Sequence, residues 1–209
     1  MSRPIPLELN TASDQSTDLI GWWPFASGAL EDFSGNGHGQ SSVDIATAYD
    51  SDFGTVGVFN GTSSFITLNG PVVLPIAWTF AAWVKTTYWA AHADTRGRLM
   101  ATGRDAGNKF SYFFEPIRLT FGVRQGKRFR SVLTDDGSTG WHTYVGPESP
   151  FEYDDSTWYH WACTRDGNAA SSRAKHYING DLVASSSPNV LASSLNVLDM
   201  WLPPHSNLE

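Results

Sequence analysis

A single cysteine, Cys163, stands in 209 residues, so no intrachain disulfide can form. It lies inside an apolar stretch, TWYHWACTR, where a thiol serves as a small buried hydrophobe and not as a nucleophile. Basic charge is also scarce. Fourteen Lys and Arg face 21 Asp and Glu, for a net charge of −7. That balance argues against a phosphate-backbone partner, and no nucleic acid is expected. No stretch approaches the ~20 consecutive apolar residues of a membrane span. The opening MSRPIPLELN has no apolar run after its arginine, so no secretory leader is read there either. Helical periodicity, internal repeats and low-complexity tracts are all missing.

Aromatic residues are abundant: 9 Trp, 7 Tyr and 12 Phe, enough for a large core, a stacking surface or both. The clearest element is WTFAAWVKT, Trp78 to Thr86. Trp78, Phe80, Ala82 and Val84 fall on one face and Thr79, Ala81, Trp83 and Lys85 on the other, a period-2 strand with one apolar side. Without Gly or Pro, it is predicted as a central strand of an antiparallel sheet packed on a second sheet. TWYHWACTR, Thr157 to Arg165, repeats the pattern: Tyr159, Trp161 and Cys163 share one face, and Trp158, His160, Ala162 and Thr164 the other.

The remaining elements follow in order. Residues 1–18 are polar and aperiodic and are predicted as an extended arm, with 19–209 as one β-domain, a size single sandwiches commonly reach. Leu19 to Phe25, LIGWWPF, is the first predicted strand, placed at an edge or ending at Pro24. A glycine-rich loop runs from Ala26 to Ser42. Val56 to Asn60 and Phe65 to Leu68 are predicted to form a hairpin. Arg98 to Thr102, then Lys109 to Glu115 and Ile117 to Gln125 with a break at Pro116, then Lys127 to Leu133, continue as strands. A loop-like insertion spans 134–156. Lys175 to Ile178 and Leu182 to Ser185 flank Asn179-Gly180-Asp181, a strong hairpin-turn signal.

In this order the segments LIGWWPF, LEDFSGNGHG, VFNGTSSFITL, WTFAAWVKT and WYHWACTRDGN with KHYINGDLVASSS resemble the laminin G-like, concanavalin A-like family in its bacterial and phage form. The resemblance covers residues 19–188. It implies an all-β fold: an antiparallel two-sheet β-sandwich, the concanavalin A-like jelly roll. It also implies that Tyr159, Trp161 and Cys163 are core, which leaves Trp83, Trp158, His160, Thr164 and Tyr177 on the opposite, concave face. That set forms a sugar-stacking platform if it stays open, with Trp89 and Trp141 on adjacent loops. Loops such as 134–156 folding over it would instead bury it. His176 stands where the family usually has an aliphatic core residue, and is expected to be a satisfied core histidine and not a ligand. The family normally runs on into a last strand beside the first. Here only Leu195 to Leu202 remains, so a truncated chain, or a strand supplied by another subunit, is expected.

Asp32, Ser34, Asn36 and Gly39 lie in DFSGNGHG, a loop that often carries calcium in the family, so a structural calcium with those ligands is implied. The other reading is an Asx-turn loop in which Asp32 and Asn36 bond backbone groups. His92 and Asp94 have no third partner at a recognisable spacing. Asp135, Asp136, Glu148, Glu152, Asp154 and Asp155 make the insertion acidic, yet the E-x-D-x-x-E motif of related glucanases and the R-x-E-x-R and Q-x-H patterns of jelly-roll lyases are absent. Asn60-Gly61-Thr62 is a formal glycosylation sequon. The expected function is a non-catalytic carbohydrate-binding or adhesion module with a glycan partner, on an extracellular surface or virion. A structural module that binds protein or a second copy is the competing reading, and a glycoside hydrolase or lyase the third.

Overall fold

The structure, a computed structural model, describes residues 12, 14, 17–25, 31–38, 40–60, 63–68, 75, 77–85, 100–102, 112–119, 126–133, 144–148, 156–165, 174–185 and 198–199. These contain β1 (Gln40–Val43), β2 (Ala46–Asp50), β3 (Gly54–Val58), β4 (Phe65–Leu68), β5 (Trp78–Val84), β6 (Met100–Thr102) and β7 (Tyr112–Leu119). They continue with β8 (Gly126–Leu133), β9 (Tyr144–Glu148), β10 (Tyr159–Arg165), β11 (Ala174–Ile178), β12 (Asp181–Ser185) and β13 (Leu198–Asp199). Every pairing is antiparallel, and no α-helix occurs among the described residues. None of these residues forms a helix long and apolar enough to cross a membrane. The chain divides into two compact units, Met1–Val72 with Met200–Ser206 and Val73–Asp199 with Asn207–Glu209.

The second unit holds the two large sheets of the expected all-β sandwich. One is four-stranded in the order β12-β11-β10-β5, and the other five-stranded in the order β13-β6-β7-β8-β9. β9 also comes close to β11 and β12 of the opposite sheet. The alternation read from the sequence sets the core of the four-stranded sheet. Trp78 and Val84 of β5, Tyr159, Trp161 and Cys163 of β10, and His176 and Ile178 of β11 are buried. Phe80 and Trp161 meet edge to face at 6.2 Å, and Trp161 meets His176 in the same way at 5.7 Å. Asn179 and Gly180 both take positive φ, 53° and 93°, closing the β11–β12 hairpin in two residues as Asn-Gly favours.

Unit 1 is built of two nested hairpins. β2 pairs with β3 from Asp50↔Gly54 to Ala46↔Val58, and outside them β1 pairs with β4 from Val43↔Phe65 to Gln40↔Leu68. Val56 to Asn60 and Phe65 to Leu68 therefore do not pair with each other, contrary to expectation. The reason lies in the side chains at the neck. Asn60 Oδ1 accepts from Ser63 N (2.8 Å) and Ser64 N (3.0 Å), while Ser63 Oγ donates to Asp44 Oδ2 (2.7 Å) and Ser64 Oγ to Asp44 O (2.5 Å). These bonds tie Asn60, Ser63 and Ser64 together and to Asp44 at the β1–β2 corner, so β4 returns along β1.

Four further expectations are corrected. Leu19 to Phe25 is not a strand, because its backbone is bonded by loop side chains (below) and not by a ladder. β7 runs unbroken through Pro116, in register with Phe129. Among the described residues β6 pairs with β7 at Phe113 and Phe114, away from Pro116. The 134–156 insertion contains β9, paired with β8. β5 stands at the end of its sheet among the described residues and not at its centre.

His176 is fully buried, and desolvation pushes its pKa down from 6.5 to about 3. It packs as a neutral ring in the core. Between those two values the unfolded chain binds a proton that the folded chain refuses, so stability is complete above about pH 6.5 and falls as the pH drops toward 3. Urea unfolding of the wild type should lose roughly 1.4 kcal/mol per pH unit in this window from that group alone. His176→Leu should remove that slope, and an equal slope in the variant would reject the assignment.

Candidate functional site

Burial of Trp161 and its neighbours forces the alternate residues of β5, β10 and β11 to the other face. The register arranges them in rows. Thr79, Thr164, Lys175 and Ser185 are aligned across the four strands. Ala81, Ala162, Tyr177 and Leu182 form the next row. Trp83 and His160 form the third, and Lys85 with Trp158 continues beyond the strand ends.

Trp83 and His160 lie with ring centroids 5.2 Å apart and planes at 53°. Trp83 keeps 51 % of its surface exposed, and Leu182 56 %. Lys85 Nζ sits 4.8 Å from the centre of the Trp158 ring, a cation–π contact. The backbone of His160 is pinned from the hairpin: His160 N donates to Asn179 Oδ1 (3.0 Å), and Asn179 N donates to His160 O (2.8 Å). Small Ala81 and Ala162 make a floor between the Trp83–His160 row and the row carrying Thr79, Thr164 and Lys175. The result is a shallow aromatic platform with hydroxyl groups beside it.

Trp83, Trp158, His160 and Tyr177 thus share one face. Trp89, Trp141 and Gly39 lie outside the described residues, as do His92, Asp94 and, of the acidic insertion, Asp135, Asp136, Glu152, Asp154 and Asp155; Glu148 ends β9. Leu182 was missed as a platform residue. Its place opposite Tyr177 depends on a bulge between His176 and Tyr177 that skips Val183, which no strict alternation reveals.

The DFSGNGHG loop is a separate construction in unit 1. Asp32 Oδ1 accepts from Trp22 N (3.0 Å) and Ser34 N (2.9 Å), and Oδ2 from Ser34 Oγ (2.9 Å) and His38 N (3.1 Å). Asn36 Nδ2 donates to Leu19 O (2.6 Å) and Ile20 O (3.0 Å), and Phe33 N donates to Trp22 O (2.8 Å). Burial alone would raise the Asp32 pKa, but the donors from Trp22, Ser34 and His38 outweigh it and hold the carboxyl below its usual range. An ionised carboxylate offers about four lone-pair sites, and all four are used here. The residues as arranged do not fit a cation, which would have to displace N–H or O–H donors from Asp32. No group of three or more His, Cys, Asp or Glu is placed to hold a metal among the described residues.

Asp32 therefore fastens the loop to the 19–22 backbone. Asp32→Ala should lower stability by about 2 kcal/mol in denaturant unfolding, since it leaves several N–H groups without their charged acceptor. The wild-type Tm should be the same in calcium and in EDTA; a clear rise with calcium would show that a cation does replace those donors.

Residues 60–198 match the Laminin_G_3 family, described as the concanavalin A-like lectin/glucanases superfamily. No curated protein matches the chain. Among solved structures, the chain is similar to domain 4 of AbnA, a GH43 extracellular arabinanase from Geobacillus stearothermophilus, in complex with arabinotriose. The two share 21 % identity over 89 % of this chain and 86 % of that one, with a TM-score of 0.59. Alginate lyase Aly36B aligns at 15 % identity over 93 % of this chain and 78 % of that one; its TM-score of 0.41 is too low to carry an argument. At 21 % identity the likeness to the AbnA domain is one of fold. With the family match spanning most of the sequence, the chain belongs to the concanavalin A-like lectin/glucanases superfamily.

Proposed function

We propose that this chain is a non-catalytic carbohydrate-binding module whose ligand lies on the outward face of β5, β10 and β11. The observation that carries the reading is the Trp83–His160 pair at 5.2 Å with Trp83 half exposed on a hydrogen-bonded, rigid sheet. An aromatic ring held open in this way loses little entropy on stacking against a sugar. Tyr177 and Trp158 extend the surface, and Thr79 and Thr164 supply hydroxyls for orientation. The arabinotriose bound to the AbnA domain supports the same class of ligand.

Glycoside hydrolysis by a retaining or inverting route needs two carboxyl groups flanking the scissile bond. Among the described residues, no outward position of β5, β10 or β11 is Asp or Glu. Binding without turnover is the chemistry this face supports. It needs no cation, consistent with an Asp32 carboxylate already satisfied by protein donors. A shallow platform binds a single chain weakly, so adhesion through it relies on several copies acting together.

A glycan panel spanning neutral and acidic polysaccharides tests the reading. Trp83→Ala should weaken the best ligand by roughly tenfold or more while changing folding stability by less than about 1 kcal/mol. No reducing ends should be released. A panel with no binder, or an affinity untouched by Trp83→Ala, would refute the platform.

A further inference from the structure

We infer that the ligand is an extended oligosaccharide of several linked rings, laid across the strands from β5 to β12 and held at its far end by Leu182. The inference rests on the glycan-binding reading and goes further by assigning the length and direction of the sugar chain. Among the described residues, the exposed large hydrophobic side chains of the second unit are Trp83 at 51 % and Leu182 at 56 %, and both stand on this face. A leucine exposed by itself needs no explanation. This one ends a row. Ala81, Ala162, Tyr177 and Leu182 are aligned from β5 through β10 and β11 to β12, and the bulge between His176 and Tyr177 is what brings Leu182 into that line.

The neighbouring row is polar and runs in the same direction. Thr79, Thr164, Lys175 and Ser185 follow the apolar row from β5 to β12, so hydrogen-bonding side chains lie along its whole length. A pyranose chain is divided in the same way, with apolar ring faces and hydroxyls at the ring edges. Laid across the strands, its faces stay over the apolar row and one hydroxyl edge stays beside the polar one. Laid along the strands, it would cross polar and apolar rows in turn. Trp83 and Leu182 are separated by three strand spacings and one row, about 16 Å. One ring reaches only one of these anchors. The repeat of an extended pyranose chain is close to one strand spacing, so three linked rings join them, and contact at the first anchor makes contact at the second intramolecular.

The test uses the full chain and a length series, monosaccharide to hexasaccharide, of the best binder in the glycan panel. Affinity should rise by roughly tenfold or more from monosaccharide to trisaccharide and change little beyond it. Leu182→Ala should weaken trisaccharide and longer chains by about threefold to fivefold and leave the monosaccharide unaffected, because the first ring sits at Trp83. Trp83→Ala should weaken every length. Leu182→Met, which keeps an apolar side chain of similar volume, should restore wild-type affinity, and melting curves report folding of each variant. A monosaccharide that binds as tightly as the trisaccharide overturns this inference and leaves the glycan platform standing. So does a Leu182→Ala variant that loses nothing, or that loses affinity equally at every length. Binding of no glycan at all overturns both.

Discussion

Everything on the outward face follows from what β10 has to bury. A strand turns successive side chains to opposite sides, so placing Tyr159, Trp161 and Cys163 in the core leaves Trp158, His160, Ala162 and Thr164 no choice but the other side. Trp161 has no exposed surface and touches Phe80 on β5 and His176 on β11 edge to face, which fixes the register of both neighbours. A one-residue slip of either would turn its large apolar side chains into water and its Lys or Thr residues into the core. The aromatic row is therefore aligned by packing on the reverse of the same sheet. The outward surface is ordered because the core is.

The Asn179–Gly180 turn adds a second constraint on that row. Its positive φ values suit the hairpin, and its asparagine also completes the hydrogen bonding of His160, so one residue closes β11–β12 and extends the ladder to β10. In the first unit, side-chain hydrogen bonds tie the loops to one another beside the two hairpin ladders. Asp32 and Asn36 bond the 19–22 backbone, and Asp44, Asn60, Ser63 and Ser64 join two turns. Polar loops here are structure in their own right.

This contrast explains what the sequence made legible. β5, β10, β11 and β12 were readable because each is long, half-apolar and bounded by turn residues, and the inward and outward sets of β5 and β10 came out as found. The resemblance to the superfamily, carried by several short motifs in order, agrees with the family match. β2 was hidden because Ala46 to Tyr49 are all exposed, which leaves no apolar alternation to detect. Leu19 to Phe25 misled for the opposite reason: its apolar residues look like a strand, while its hydrogen bonds go to acceptors and donors ten or more residues away, which local pattern cannot show. The face could be listed from alternation, but its rows, and hence the place of Leu182 in them, needed the cross-strand register.

The nested hairpins carry a consequence for how the first unit assembles. β1 and β4 are far apart in sequence, and bringing Val43 to Phe65 in an open chain would close a long loop at an entropic cost. Once the Asp50–Gly54 turn has formed and β2 has zipped along β3, the ends of that hairpin, Ala46 and Val58, already lie side by side, and the remaining gap is only a few residues on each strand. The order of events is thus written into the topology: the inner hairpin acts as a template, and the outer pair with buried Ile66 and Leu68 closes after it.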